Sequence, residues 1–154
     1  MEGTRLRGIG GITVDRHERI EEQLARVPLF EGLSKKELQL VAQLSTYLEE
    51  PAGAVLTRQG AQGHEFIIVL EGEVEVRRDD ELIATRGAGT YVGEIALIDH
   101  RPRTATVTTT TPVKLEVIGQ REFAGLLAEV PEISQKLLPS VARRLADLEP
   151  ESGA

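Results

Sequence analysis

Hydrophobic residues in the first third of the chain recur every three or four positions, which is the spacing of one face of an α-helix. A first helix is predicted over residues 15–27 and is ended by Pro28. A second begins at Ser34, which forms the sequence pattern of a capping box with Glu37. We therefore expect an N-terminal helical segment over residues 15–50. The apolar positions of the two helices are Ile20, Leu24 and Val27, then Leu38, Val41, Leu44 and Leu48.

After Pro51 the pattern changes to short runs rich in Val, Ile and Thr, separated by glycine-containing turns, which are typical of β-strands. In residues 73–78 charged residues alternate with valines, which indicates a strand with one solvent-facing side. Many short strands joined by short turns favour a sandwich or barrel over a parallel sheet. We expect this β-barrel over residues 51–119. The predicted strands are residues 54–58, 65–71, 73–78, 81–86, 104–110 and 113–118.

Helical spacing returns in the C-terminal part, residues 120–149, with predicted helices over residues 122–128 and 131–148. Pro139 lies inside the second helix and is expected to kink it or split it in two. The two ends of the chain, residues 1–14 and 150–154, are predicted to be flexible tails. The apolar stripe of the last helix is Ile133, Leu137, Val141, Leu145 and Leu148.

Composition narrows the classes of function that remain. The chain has 154 residues, enough for a single domain with its own core, and a net charge of −7 that disfavours nucleic acid or an anionic membrane as a partner. It has no Cys, and its three His do not share the spacing of metal ligands, so no metal site is predicted. No apolar run approaches the roughly 18 residues of a membrane helix, and the N-terminus lacks the apolar core of a signal peptide. We expect a cytoplasmic protein.

One stretch, residues 91–107, follows neither periodicity and carries the candidate chemistry. Gly93 permits close backbone approach, and residues 94–97 can form one helical turn whose free N–H groups bind an anion. Arg103 follows Glu94 by nine residues, and a guanidinium can bind two phosphate oxygens at once. A carboxylate beside a phosphate needs a hydroxyl donor, and a sugar 2′-OH would supply it.

Gly93-Glu94-Ile95-Ala96-Leu97 followed by Pro102-Arg103-Thr104-Ala105-Thr106-Val107 resembles the phosphate-binding cassette of the cyclic nucleotide-binding domain family. The resemblance extends over about residues 27–148. It implies a mainly β fold with flanking helices: a double-stranded β-helix (jelly-roll) barrel with an N-terminal helical segment and a C-terminal lid helix.

The same resemblance implies the roles of the site residues. Glu94 would bind the ribose 2′-OH, and Arg103 the cyclic phosphate, while backbone N–H groups of the short helix complete the site. Thr104 is compatible with cAMP or cGMP. The predicted ligand-binding residues are Gly93, Glu94, Ile95, Ala96, Arg103, Thr104 and Ala105, and the candidate lid residues are Arg144, Leu145 and Leu148.

The resulting hypothesis is a non-enzymatic sensor that binds cAMP or cGMP and transmits occupancy through its C-terminal helix. It requires no cofactor and no catalytic residue, and it would act on an unknown protein effector, alone or as a homodimer. Three alternatives stay open: a sensor fragment of a transcription regulator or another effector protein, a barrel used only for association, and a cupin-like barrel that does not bind nucleotide. The cupin alternative lacks the His-x-His pair that such a metal site needs.

Overall fold

The computed structural model describes residues 20–93 and 102–147, without the side chains of Ser140, Arg144, Leu145 and Asp147. Both predicted tails lie outside these residues. The helices are α1 (its described part is residues 20–25), α2 (Lys35–Leu44), α3 (Gln120–Glu129) and α4 (Pro131–Asp147), with a 3₁₀ turn at Pro28–Phe30. The strands are β1 (Ser45–Glu50), β2 (Val55–Thr57), β3 (Glu65–Glu71), β4 (Val74–Arg78), β5 (Glu81–Arg86), β6 (Tyr91–Val92), β7 (Thr106–Thr109) and β8 (Val113–Gly119).

The strands form two four-stranded antiparallel sheets that face each other. One sheet has the order β1-β8-β3-β6 and the other β2-β7-β4-β5. Most neighbours within a sheet are distant in sequence, as in a jelly roll. Within the residues that the structure describes, no strand of one sheet pairs with a strand of the other, so the barrel is a flattened sandwich. The predicted fold class, mainly β with flanking helices, is confirmed.

Strand β3 lies between the two hydrophobic cores of the molecule. Ile67 and Val69 point into the core between the sheets, together with Val107 of β7. The alternate residues of the same strand pack against the helices, where Phe66 stacks on Phe123 of α3 with ring centroids 4.3 Å apart. Because both faces are covered, this strand is a continuous apolar run instead of an alternating one.

The N-terminal helices form largely as predicted up to Leu44. The capping box is present: the Glu37 N–H donates to Ser34 Oγ at 3.1 Å, and the Ser34 N–H donates to the Glu37 carboxylate at 2.9 Å. The prediction of a helix through Leu48 is wrong, because residues from Ser45 onward form β1. All six residues of β1 pair with β8, and these ladder hydrogen bonds outweigh the helical spacing of the leucines.

Two further differences concern the other predicted elements. The last helix continues through Pro139 as one element from Pro131 to Asp147, so it is not split in two. Ile133 and Val141, on either side of the proline, are buried against the core, and this packing stabilises both parts of the helix. Strand β6 was not predicted; its two residues pair with Ile67 and Ile68 of β3.

Candidate functional site

The main chain of Arg103 is bound on both sides by the segment between β2 and β3. The Arg103 N–H donates to the carbonyl of Ala61 at 2.8 Å, and the Arg103 carbonyl accepts from the N–H of Gly60 at 2.9 Å. Pro102 precedes Arg103 and restricts the chain that enters the site. Arg103 therefore has a defined position just before β7 begins.

The guanidinium of Arg103 is held between two glycines and a carbonyl. Arg103 is only 8% exposed, and its Nη2 donates to the carbonyl of Glu65 at 2.8 Å. A Cβ on Gly63 would overlap Nε of Arg103, and a Cβ on Gly93 would overlap Nη1. Gly93 also has a φ of +99°, which favours glycine. Both glycines leave the space that the guanidinium fills.

This arrangement places a cation in a sheltered position with a fixed orientation. A guanidinium stays protonated in proteins, and burial is tolerated only where hydrogen bonds and counter-charges compensate the lost hydration. Its planar set of donors matches the oxygens of a phosphate, and it attracts an anion more strongly away from bulk water. The site can therefore bind a phosphodiester through Arg103.

The other predicted site residues fall into three groups. Gly93, Thr104 and Ala105 lie beside Arg103; Ala105 is buried, and its carbonyl accepts a hydrogen bond from the Thr57 hydroxyl at 3.0 Å. Glu94, Ile95 and Ala96 lie outside the described residues, as does Leu148. Arg144 and Leu145 belong to α4, but their side chains are not described.

Sequence reasoning missed the part of the site contributed by residues 60–65. Gly60 and Ala61 bind the main chain of Arg103, and Gly63 and Glu65 contact its side chain. All four contributions are backbone atoms or the absence of a side chain, which no chemical motif reveals. The one available signal was the pair of glycines three residues apart, Gly60 and Gly63, directly before a strongly apolar strand.

Comparison with known proteins decides the family. The sequence profile described as "Cyclic nucleotide-binding domain" matches residues 48–130, more than half of the chain. The chain belongs to the cyclic nucleotide-binding domain family. The resemblance seen in the cassette residues is thus confirmed, and the family match favours the cyclic-nucleotide sensor hypothesis over a cupin-like barrel.

Relatives of this cyclic nucleotide-binding domain occur in proteins with different outputs. A cyclic nucleotide-gated potassium channel of Rhizobium etli is 35% identical over 79% of this chain and 34% of the channel. A CRP-like cAMP-activated global transcriptional regulator of Mycobacterium tuberculosis is 28% identical over 82% of this chain and 58% of the regulator. The chain thus spans between about a third and three fifths of these relatives.

Among solved structures, the regulatory domain of Toxoplasma gondii PKA in co-crystals with cAMP is similar, with a TM-score of 0.73. It is 26% identical, and the match covers 82% of this chain and 51% of that one. The likeness supports the jelly-roll assignment. Among the residues described for this domain, no helix combines the length and apolar character needed to cross a membrane.

Proposed function

We propose that this domain binds a 3′,5′-cyclic purine nucleotide, cAMP or cGMP, with Arg103 holding the cyclic phosphate. The observation that carries the proposal is the buried Arg103 guanidinium, fixed by the Glu65 carbonyl at 2.8 Å and bordered by Gly63 and Gly93. Binding of cAMP by a similar regulatory domain supports the same choice of ligand. Thr104, next to Arg103, is compatible with either nucleotide.

Glu94 is proposed to accept a hydrogen bond from the ribose 2′-OH, as the cassette resemblance implies. A hydrogen bond to a charged group contributes about 1.5–3 kcal/mol. Glu94→Gln should therefore weaken binding of cAMP much more than binding of 2′-deoxy-cAMP. Calorimetric titration of both ligands measures the difference, and undiminished discrimination against the deoxy analogue in the variant would refute the assignment.

The nucleotide is proposed to be a signal and not a substrate. The roles assigned to Arg103 and Glu94 are charge pairing and hydrogen bonding, and neither supplies a nucleophile for phosphodiester cleavage. Incubation with cAMP followed by chromatography should return cAMP unchanged. The appearance of 5′-AMP on addition of a divalent metal would show an enzyme instead.

Helix α4 is proposed to transmit occupancy to a protein effector in the cytoplasm, with the domain acting alone or as a homodimer. Lys136 of α4 donates a hydrogen bond to the carbonyl of Glu31, just after the 3₁₀ turn, so a shift of α4 would reach the N-terminal segment. Arg144, Leu145 and Leu148 are the proposed base contacts. The ligand can move α4 only if it binds one arrangement better.

Calorimetry with cAMP and cGMP, with 5′-AMP as the control, tests the proposed function directly. We expect saturable binding of at least one cyclic nucleotide and much weaker binding of 5′-AMP. Hydrogen exchange then tests the sensor: nucleotide should change protection within residues 131–147. Protection confined to residues 93–106 would mean a binding site without transmission through α4.

A further inference from the structure

Gln59 and Asp79 are joined by two reciprocal hydrogen bonds. Gln59 Nε2 donates to Asp79 Oδ1 at 3.0 Å, and the Asp79 N–H donates to Gln59 Oε1 at 2.8 Å. The pair connects the segment after β2 to the turn between β4 and β5, although the two residues are 20 positions apart. It fixes two otherwise separate surface loops to each other.

The turn between β4 and β5 has a left-handed backbone at both of its residues. Asp79 and Asp80 have φ values of 53° and 68°, and no other non-glycine residue in the described ranges has a positive φ. Two-residue hairpin loops of this kind are commonly Asn-Gly, Asp-Gly or Gly-Gly. Aspartate is therefore a usual residue at the position of Asp79, whereas Asp80 stands where glycine is preferred. Asp79 adopts this conformation and presents the carboxylate that Gln59 binds.

The segment that carries Gln59 is the one that positions Arg103. The Gln59 N–H donates to Thr106 Oγ1 at 2.9 Å. The next two residues, Gly60 and Ala61, bind the carbonyl and the N–H of Arg103. The side chain of Gln59 thus binds Asp79, while its main-chain N–H binds Thr106 at the start of β7.

A second bond joins the same hairpin to the site. Arg78, directly before Asp79, donates from Nε to the carbonyl of Thr104 at 3.2 Å. The end of the β4–β5 hairpin therefore binds Thr104, the residue after Arg103, directly. Through Gln59 it is also connected to Gly60 and Ala61, which bind the main chain of Arg103.

We propose that the Gln59–Asp79 pair is a positioning element that sets the orientation of Arg103 for the phosphate. The inference rests on the proposed function, in which Arg103 binds the phosphate of a cyclic nucleotide. In this role the pair acts through residues 59–61, of which Gly60 and Ala61 hold the main chain of Arg103. Loss of the pair should allow this segment, and with it the guanidinium, to move away from the geometry that binds the phosphate.

The first test compares two glutamines of the same segment. Gln59→Ala removes both bonds of the pair, whereas Gln62→Ala changes an exposed side chain in the same segment. Since a typical hydrogen bond contributes modestly, Gln59→Ala should weaken cAMP binding about two- to ten-fold in calorimetric titration, and Gln62→Ala should leave it unchanged. Equal affinities in the two variants would overturn the proposal.

The second test reverses the polarity of the pair. Gln59→Glu places two carboxylates side by side and should weaken binding at least as much as Gln59→Ala. Adding Asp79→Asn restores a donor opposite the introduced carboxylate, so the double variant should return to within about two-fold of the unmodified chain. If the double variant binds cAMP no more tightly than Gln59→Glu alone, the hydrogen bonds between residues 59 and 79 do not determine the affinity.

The third test separates positioning of Arg103 from general stabilisation. In an Arg103→Lys background the fixed guanidinium is gone, so adding Gln59→Ala should weaken cAMP binding by less than about two-fold. A loss of affinity as large as in the unmodified background would overturn the proposal. The NMR signal of Arg103 Nε–H provides a readout without ligand and should shift or broaden in Gln59→Ala but not in Gln62→Ala. An unmodified chain that binds neither cAMP nor cGMP would refute the proposed function, while this signal would still decide whether Gln59 positions Arg103.

Discussion

The segment around Arg103 and helix α4 are held in place by different interactions. Around Arg103, directional hydrogen bonds with the backbone of Gly60, Ala61 and Glu65 specify the position of both main chain and side chain. Helix α4 is held mainly by buried apolar residues such as Ile133 and Leu137. Apolar contacts are not directional, so α4 can shift along its packing surface at lower cost than Arg103 can leave its hydrogen bonds. The proposed binding site and the proposed moving element are thus held by different kinds of contact.

The largest effect is expected at Arg103, the proposed phosphate ligand. Arg103→Ala should weaken cAMP binding by on the order of a hundred- to a few thousand-fold, because losing one member of a desolvated charge pair costs about 3–5 kcal/mol. Calorimetric titration measures the loss. Arg101→Ala is the control and should retain nearly full affinity. Equal losses of affinity in the two variants would show that the phosphate contact is assigned to the wrong arginine.

In helix α4, the stability of the domain should depend on Leu137 and not on its neighbour Leu138. Leu137 is 2% exposed and Leu138 is 62% exposed, although they are adjacent in α4. Leu137→Ala should lower the free energy of unfolding by roughly 2–5 kcal/mol, whereas Leu138→Ala should change it by less than about 0.5 kcal/mol. Urea denaturation followed by circular dichroism measures both. A loss of similar size at Leu138 would show that this side of α4 is covered by another surface.

Gly63→Ala should disturb the ligand site more than the fold. The new Cβ would overlap Arg103 Nε and displace the guanidinium, and overpacking of this kind costs about 1–3 kcal/mol. We expect roughly ten-fold weaker cAMP binding by titration. Gly125→Ala in α3 is the matched control, since its Cβ would meet nothing within 4 Å; affinity should be unchanged and the helix slightly more stable. Unchanged affinity in Gly63→Ala would mean that Arg103 adapts without loss.

The smallest effect is expected at the N-terminus of α2, far from Arg103 in sequence. Ser34→Ala removes the side-chain bond of the capping box and should lower the free energy of unfolding by about 1 kcal/mol without changing cAMP affinity. Lys36→Ala, at an exposed neighbouring position, should change neither quantity. Thermal unfolding and titration of both variants provide the measurements. A clear loss of affinity in Ser34→Ala would contradict this expectation.

Local patterns were sufficient for elements that are stabilised by their own residues. Strand β3 has the predicted bounds, and the helix start at Ser34 follows from a capping box that spans only four residues. The nine-residue spacing between Glu94 and Arg103 likewise indicates phosphate chemistry, because both residues belong to one short stretch of chain. In each case the deciding interactions, or the motif itself, lie within a few residues.

Tertiary structure decided what depends on contacts between distant parts of the chain. Ser45–Glu50 is a strand because β8, some 70 residues later, offers a complete ladder, and α4 continues through Pro139 because the core holds the helix on both sides. The support of Arg103 comes from Gly63 and from the carbonyl of Glu65, 38 residues earlier. Glycine and backbone carbonyls carry no side-chain chemistry, so only the folded arrangement shows that they orient the guanidinium.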